Sequence, residues 1–446
     1  MSPTTVFALS TAPGRSAIAV FRITGPLAAG ALERLTGLAA PAPRRAVRVE
    51  IRDPGTGEIL DDGLAIRFPA PASYTGEDLV ELHLHGGRAT VEAVGLALGR
   101  IDGLAPAGPG DFTRRAFLAG KLDLTQVEAV ADLIDAETEA QRRQAMRQAG
   151  GALAALYDGW RGDLIGALAH LEAVIDFPDE DLPPETEAEI AGTIAALARD
   201  VARHLADARR GERLRDGVAV AVLGPPNVGK SSLVNALARR DVAIVAPEPG
   251  TTRDAIEVHL DLGGYPAVVA DTAGLRDEAG AVEAEGIRRA LDRAENADLR
   301  LVMLDARAPE PDAALAALID GDALLVLNKT DLTDLRAAPP PRRVAGTDAI
   351  PLSVRTGDGL DALLARLGAA VAERAASGAS PAPTRLRHRL ALEACRGALE
   401  RAAGQPAPEL RAEDLRAAAA ALGRLTGRVG VDDVLDAIFR DFCIGK

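Results

Sequence analysis

Residues 224–231 read G-P-P-N-V-G-K-S, directly behind the apolar run 218–223 and directly ahead of S-L-V-N-A-L at 232–237. Few folds accept that order. A G-x-x-x-x-G-K-S loop between a strand and a helix lets backbone N–H groups approach phosphate oxygens while the helix N-terminus adds positive potential. The glycines permit the close approach. The spacing therefore predicts a phosphate-binding loop in an α/β unit, with Lys230 reaching the β and γ phosphates and Ser231 as a magnesium ligand.

A second stretch points to the base. Residues 328–331 read N-K-T-D after the strand-like run 323–327, which puts Asn328, Lys329 and Asp331 at the carboxyl edge of a parallel sheet, where ligands bind. An aspartate there accepts two hydrogen bonds from N1 and N2 of guanine. Adenine cannot supply them, and an unpaired buried carboxylate is costly, so Asp331 is expected to select GTP over ATP by orders of magnitude. Between the two stretches lie G-T-T-R-D at 250–254 and D-T-A-G at 271–274, the latter after the strand-like run 267–270. Asp271 is expected to hold magnesium through water, and Gly274 to give its N–H to the γ-phosphate. Thr252 would complete the metal shell only with GTP present, making this a switch ordered by the third phosphate. In Ras-like GTPases a glutamine after D-x-x-G orients the attacking water, but Leu275 stands here and cannot hydrogen-bond. Asp277, Glu278, Glu283 and Glu285 follow, and spacing does not choose among them.

These motifs resemble the tRNA modification GTPase family MnmE, also called TrmE. So do residues 108–136 (GPGDFTRRAFLAGKLDLTQVEAVADLIDA), residues 73–87 (SYTGEDLVELHLHGG) and the terminal F-C-I-G-K. The resemblance implies an N-terminal α/β tetrahydrofolate-binding and dimerisation domain, then a helical domain interrupted by a Ras-like P-loop GTPase domain. It implies that the G domains of two subunits meet on GTP binding around a potassium ion, which takes the place of an arginine finger. Asn227, Ala246, Glu248 and Thr251 are its implied ligands, and a cation there would offset charge that grows in the transition state. Pro247 and Pro249 flank Glu248 and bear on the loop's shape.

By position the resemblance adds Val228, Gly229, Ser232, Thr251, Thr272, Ala273, Ser353, Val354 and Arg355 to the GTP site. It assigns the water-positioning role to Glu283, in V-E-A-E-G-I at 282–287. Arg22, Glu81, Lys121 and Lys446 map onto the family's 5-formyltetrahydrofolate site, and Cys443 falls near it with a part in modification. The implied partner is an MnmG-like FAD protein, in a heterotetramer. The implied activity installs a carboxymethylaminomethyl or aminomethyl group at C5 of the wobble uridine of tRNA, from a folate one-carbon unit with glycine or ammonium. The G motifs alone fit equally a regulatory GTPase in ribosome assembly or signalling.

With 446 residues, 48% hydrophobic and 26% charged, the chain can bury substantial cores, and its length suits about three domains. The pattern divides it into an α/β segment at 1–118, a helical one at 119–216, the G domain at 217–377 and a second helical part at 378–446. S-G-A-S-P-A-P at 377–383 reads as a linker. After the break at 177–184, one helix is expected to run to about residue 215. A net charge of −14 argues against a broadly basic tRNA-binding surface. The pairs Arg44-Arg45, Arg114-Arg115 and Arg142-Arg143 and the segment 385–389 read as solvated faces, so tRNA is expected to be held largely through the partner. No apolar run approaches the roughly 20 residues of a membrane span, and no basic-then-apolar leader opens the chain. Two cysteines, Cys395 and Cys443, give no disulfide framework, and the expected compartment is the cytoplasm. Cys395 reads as core. Glu81, His83 and His85 alternate along one strand and share a face, as zinc ligands or as polar surface.

Overall fold

The computed structural model describes residues 4–39, 41–176, 184–244, 257–271, 296–333, 341, 343–376, 381–429, 435, 438–439 and 442–445. Two units emerge. One comprises Met1–Ala131, Ala154–Asp158 and Leu422–Lys446, the other Asp132–Leu153 and Gly159–Ala421.

In the first unit, strands β1 (Thr5–Leu9), β2 (Ser16–Thr24), β3 (Val47–Arg52), β4 (Ile59–Phe68), β5 (Leu79–Gly86) and β6 (Leu104–Pro106) form a sheet in the order β3-β4-β5-β2-β1-β6. All neighbours pair antiparallel except β1 and β6. Side chains alternate between faces with a period of two. Phe21, Ile23, Val80 and Leu82 therefore point to one side, where they bury against Leu32 and Leu35 of the helix Ala28–Thr36 and Val94 and Leu98 of the helix Arg88–Gly99. On the opposite side, Val6, Ala8 and Leu79 pack with Phe112 of the helix Asp111–Leu118. Because Arg22 follows Phe21 and Glu81 precedes Leu82, both polar residues face this second, less covered side. A third core joins Leu124 and Val127 to Leu435, Phe439 and Phe442 near the C-terminus.

The second unit holds β7 (Val218–Leu223), β8 (Glu257–Leu262), β9 (Tyr265–Asp271), β10 (Leu299–Asp305), β11 (Ala323–Asn328), β12 (Arg343–Val344) and β13 (Thr347–Pro351). Among the described residues these form one sheet in the order β12-β13-β11-β10-β7-β9-β8, parallel except for β8 and β12 at its edges. Its central strands read as unbroken apolar runs because both faces are covered. Val220 and Val222 enter one core with Leu233, Leu367 and Val371, whereas Ala221 and Leu223 enter the other with Val302, Leu304 and Leu325. The parallel order brings the carboxyl ends of β7, β9, β10 and β11 to one edge.

Two expectations are corrected here. The helix foreseen up to about residue 215 is two, Pro184–Ala206 and Ala208–Asp216. Asp207 N bonds back only three residues, to His204 O, a tight turn that ends the longer helix. Gly211 then lets the shorter one press against the returning chain, since a Cβ there would meet Pro383 O at 2.1 Å. The basic segment 385–389 is also not simply a solvated face. Arg385 pairs with Asp132 at 2.6 Å, Arg389 with Glu212 at 3.2 Å, and His388 is buried. Arg115 likewise pairs with Glu77 at 2.7 Å. Among the described residues no helix is long and apolar enough to cross a membrane.

His204 packs edge-on against Trp160, with ring centroids 5.4 Å apart. Burial, with His388 nearby, pushes its pKa from 6.5 down to about 4. The unfolded chain thus binds the proton more readily. Its contribution to stability is complete above pH 6.5 and lost as pH falls towards 4, amounting to about 3 kcal/mol over that window. Trp160 is the one tryptophan of the chain, so its fluorescence in urea titrations between pH 7 and 4 reads the loss directly. A flat midpoint across that range would contradict it.

Candidate functional site

The phosphate loop is shaped by contacts that only glycine admits. Gly224, at φ +147°, ends β7 where a Cβ would lie 2.3 Å from Met303 O of β10. At Gly229, φ +109°, a Cβ would lie 2.5 Å from Asn328 Nδ2. Between them Asn227 is exposed and left-handed, at φ 60°. The helix Lys230–Ala238 starts at once, so its first N–H groups lack partners within the helix and stand at the loop. Ser231 and Ser232 are exposed in that first turn. Lys230 Nζ donates to Gly224 O at 2.9 Å and Pro225 O at 3.1 Å, which curls its side chain back over the loop.

Asn328, buried at the end of β11, ties three loops together. Its Nδ2 donates to Val228 O at 2.8 Å, and its Oδ1 accepts from Val354 N at 3.0 Å. Asp331 accepts from Ser353 Oγ at 2.7 Å, and the exposed Arg355 guanidinium stands 3.8 Å from its other oxygen. Lys329 is left-handed, at φ 67°, and its ammonium lies 3.1 Å from Asp305. Asp271, last residue of β9, is in register with Val222, which places its backbone at the same sheet edge as the loop.

In the first unit, β2 and β5 pair Arg22 with Glu81 in register. Arg22 Nε donates to Glu81 Oε1 at 2.9 Å, and His83 Nε2 is 3.2 Å from Oε2. The Arg22 guanidinium also stands 5.8 Å from the centroid of the Tyr74 ring. Tyr74 shares a 2.9 Å hydrogen bond with Thr113, and burial raises its pKa. Lys121 is exposed and lines Gly76, with Cγ and Cε 3.8 Å from where a Cβ there would be. The C-terminal tail is tied to this unit. Gly110 N donates to Cys443 O at 3.4 Å, Ile444 bridges Pro109, and Ser10 Oγ donates to Gly445 O at 3.0 Å. Ser10 follows β1, whose Ala8 is in register with Arg22, so the tail runs beside the strand next to the ion pair. Cys443 is exposed, whereas burial pushes the Cys395 thiol up to about 12.

The family model of the GTP-binding protein TrmE N-terminus matches residues 5–121, and that of the MnmE helical domain matches residues 124–443. Three relatives carry the name tRNA modification GTPase MnmE. The Rhodospirillum rubrum protein is 57% identical over 459 residues, 100% of each chain. The Parvibaculum lavamentivorans protein is 58% identical over 447 residues, 99% of this chain and 100% of that one. The Paramagnetospirillum magneticum protein is 55% identical over 443 residues, 99% of each. The chain belongs to the MnmE family.

For this MnmE-family chain the structure gathers Asn227, Val228, Gly229, Lys230, Ser231, Ser232, Asn328, Lys329, Asp331, Ser353, Val354 and Arg355 around one edge of the second sheet. Ala246, Glu248, Thr251, Thr252, Thr272, Ala273, Gly274, Glu283 and Lys446 lie outside the described residues. Among the described residues no group of three or more His, Cys, Asp or Glu side chains could hold a metal ion. Glu81, His83 and His85 share a face, but Arg22 and His83 occupy Glu81 while His85 Nδ1 turns to Asp61 at 2.8 Å. Sequence reasoning missed Asp305. The sequence offers only an aspartate after the apolar run 301–304; its place opposite Asn328 comes from the register of β10 on β11.

Proposed function

We propose that this chain hydrolyses GTP as one component of a tRNA-modifying complex that installs a carboxymethylaminomethyl or aminomethyl group at C5 of the wobble uridine. It would use a folate one-carbon unit and an MnmG-like FAD protein as partner. One conjunction supports this above all. The second unit carries a loop set suited to a guanine nucleotide, and the first carries the Arg22 and Glu81 pair with the Cys443 tail tied along the adjoining strand. A switch without modification chemistry has no evident use for the second half.

The residues present fit the groups they would bind. The two glycines let the loop backbone lie close against Met303 O and the Asn328 amide, which fixes its shape, and Ser231 stands exposed at the helix start, as a magnesium ligand should. Asn227 is exposed in a left-handed turn, and its amide oxygen suits potassium, with Ala246, Glu248 and Thr251 as the other ligands in this reading. Bound magnesium and potassium supply positive charge beside the phosphates as negative charge shifts in the transition state. Lys230 can exchange two neutral carbonyls for phosphate oxygens, while Asn328 keeps the loop at a fixed height against β11. Glu283 would orient the attacking water. In the first unit Glu81 suits the aminopyrimidine donors of a pterin, since a carboxylate has about four lone-pair sites and here meets two donors. Arg22, Lys121 and Lys446 suit its anionic tail.

Hydrolysis would open and close a G-domain pair, within a homodimer held through the N-terminal domain, and the motion would pass into the helical part. The hairpin of β8 and β9 joins the two switch segments and is docked on a helix. Gly264 O accepts from Ala140 N at 3.1 Å, and His259 Nδ1 lies 3.0 Å from Glu137. If the coupling holds, Glu283→Ala binds GTP without hydrolysing it and fails to modify tRNA over repeated turnovers. Full-rate modification by that variant would sink it. Equal hydrolysis rates in potassium and sodium at matched ionic strength would remove Asn227 from the cation role.

Nucleoside mass spectrometry of total tRNA tests the function itself. Cells lacking the chain are expected to lose aminomethyl-type wobble uridines, the intact chain to restore them, and Cys443→Ser not to. An unchanged nucleoside profile in the deleted cells would favour a regulatory GTPase instead.

A further inference from the structure

We propose that Asp305 is a positioning residue for guanine recognition, holding the Lys329 ammonium away from Asp331 so that the Asp331 carboxylate stays open to the base. The inference goes beyond the modification chemistry and rests only on the reading of these loops as a guanine-nucleotide site.

The argument starts from register. Strands β10 and β11 run parallel with Asp305 opposite Asn328, and Ala306 N donates to Asn328 O at 2.8 Å. Asp305 is thereby fixed beside the N-K-T-D turn whatever its side chain does. Arg307 then grips it from both sides, Nε to Oδ1 at 2.9 Å and Nη2 to Oδ2 at 2.7 Å, with Arg307 N also donating to Oδ1 at 3.0 Å. The carboxylate has little freedom left. Those hydrogen bonds, followed by that of Lys329, hold it well below the usual carboxylate range, so it stays charged at any working pH. Lys329 Nζ sits 3.1 Å from Oδ2 of this anchored group.

Lys329 and Asp331 are two positions apart in one turn, and a lysine carries its charge on a flexible stem. Released from Asp305, the ammonium has a second carboxylate within reach. An ion pair with Asp331 would occupy the oxygens that guanine N1 and N2 must meet, and each nucleotide would have to displace it. Asp331 is otherwise lightly engaged, by the Ser353 hydroxyl, by an Arg355 guanidinium that is 82% exposed, and through charge alone by Arg307, which Asp305 holds. Asp305 thus acts through Lys329 without touching the nucleotide.

The test is calorimetric titration of GDP into the full chain, with steady-state hydrolysis beside it. Asp305→Asn is expected to weaken GDP binding about tenfold, the scale of one charge-assisted contact. Its kcat at saturating GTP should stay within about twofold of the original, so the defect appears in KM. In a Lys329→Met background the same substitution should change the GDP Kd by less than about twofold, because the group it restrains is gone. A merely structural role would lower the melting temperature and weaken binding equally in both backgrounds. Asp305→Ser serves the same two comparisons if the amide variant does not fold. A GDP Kd unchanged by Asp305→Asn, an equal loss in the Lys329→Met background, or a fall in kcat matching that in kcat/KM would each overturn the proposal. Absence of GDP binding by the original chain would overturn both the proposal and the guanine reading, whereas normal binding by both chains would overturn the proposal alone.

Discussion

Asp331→Asn is expected to weaken binding of GTP and GDP by about a thousandfold while improving that of the xanthine nucleotides. The carboxylate offers only acceptors, and Ser353 Oγ takes one oxygen at 2.7 Å, leaving lone pairs for two donors on the base. An asparagine oxygen still accepts from N1–H, but its amide nitrogen then points N–H at the guanine amino group. Two donors face each other, and neither finds an acceptor. Sites built to pair a polar group discriminate by about 10⁴ when the partner is lost, and partial solvation here reduces that figure. Xanthine carries a carbonyl where guanine carries the amino group, so it accepts from the asparagine. Calorimetry with GDP and xanthosine diphosphate reads both arms. GDP affinity preserved within about tenfold would show that the base is read elsewhere.

The parts of this molecule legible in its sequence are those whose function is local. In G-P-P-N-V-G-K-S and N-K-T-D each residue acts through neighbours a few positions away, and the flanking apolar runs announce the strands that carry them. The alternation that places Arg22 and Glu81 on one sheet face is equally local. What escaped depends on register and on long-range return of the chain. Asp305 gains its place because β10 and β11 pair in one particular alignment, which no spacing states. The segment 385–389 looks solvated because the acidic residues it meets, Asp132 and Glu212, are distant in sequence. The set Glu81, His83 and His85 reads as zinc ligands or as polar surface until cross-strand partners are known. Arg22 on β2 and Asp61 on β4 then satisfy two of its members.

The same long-range return sets the largest stability effect. Asp132→Ala is expected to destabilise the second unit by about 3–5 kcal/mol, as removal of one member of a buried ion cluster does. Its side chain is only 10% exposed, and one oxygen accepts both Arg215 Nε at 2.9 Å and Arg385 Nη2 at 2.6 Å. Arg215 ends the helix leading into β7, and Arg385 starts the helix after the chain leaves the nucleotide-binding sheet. One carboxylate therefore meets both crossings of the inserted sheet. Truncation would take from two partly buried cations the carboxylate they share, while Arg215 keeps Asp216 at 2.8 Å. Asp135 and Asp216 line the adjoining cavity of about 280 Å³, and burial raises their carboxyl pKa values while Arg215 and Arg385 pull the other way. Standing beside the same two arginines, they can take up part of the loss, which favours the lower end of the range. Urea unfolding of the full chain measures the change. Arg215→Met and Arg385→Met should each cost less in the Asp132→Ala background than alone, because the group they serve has been removed. A loss below about 1 kcal/mol with additive arginine effects would mean that the neighbouring carboxylates already carry the clamp, and that Asp132 is one contributor among three.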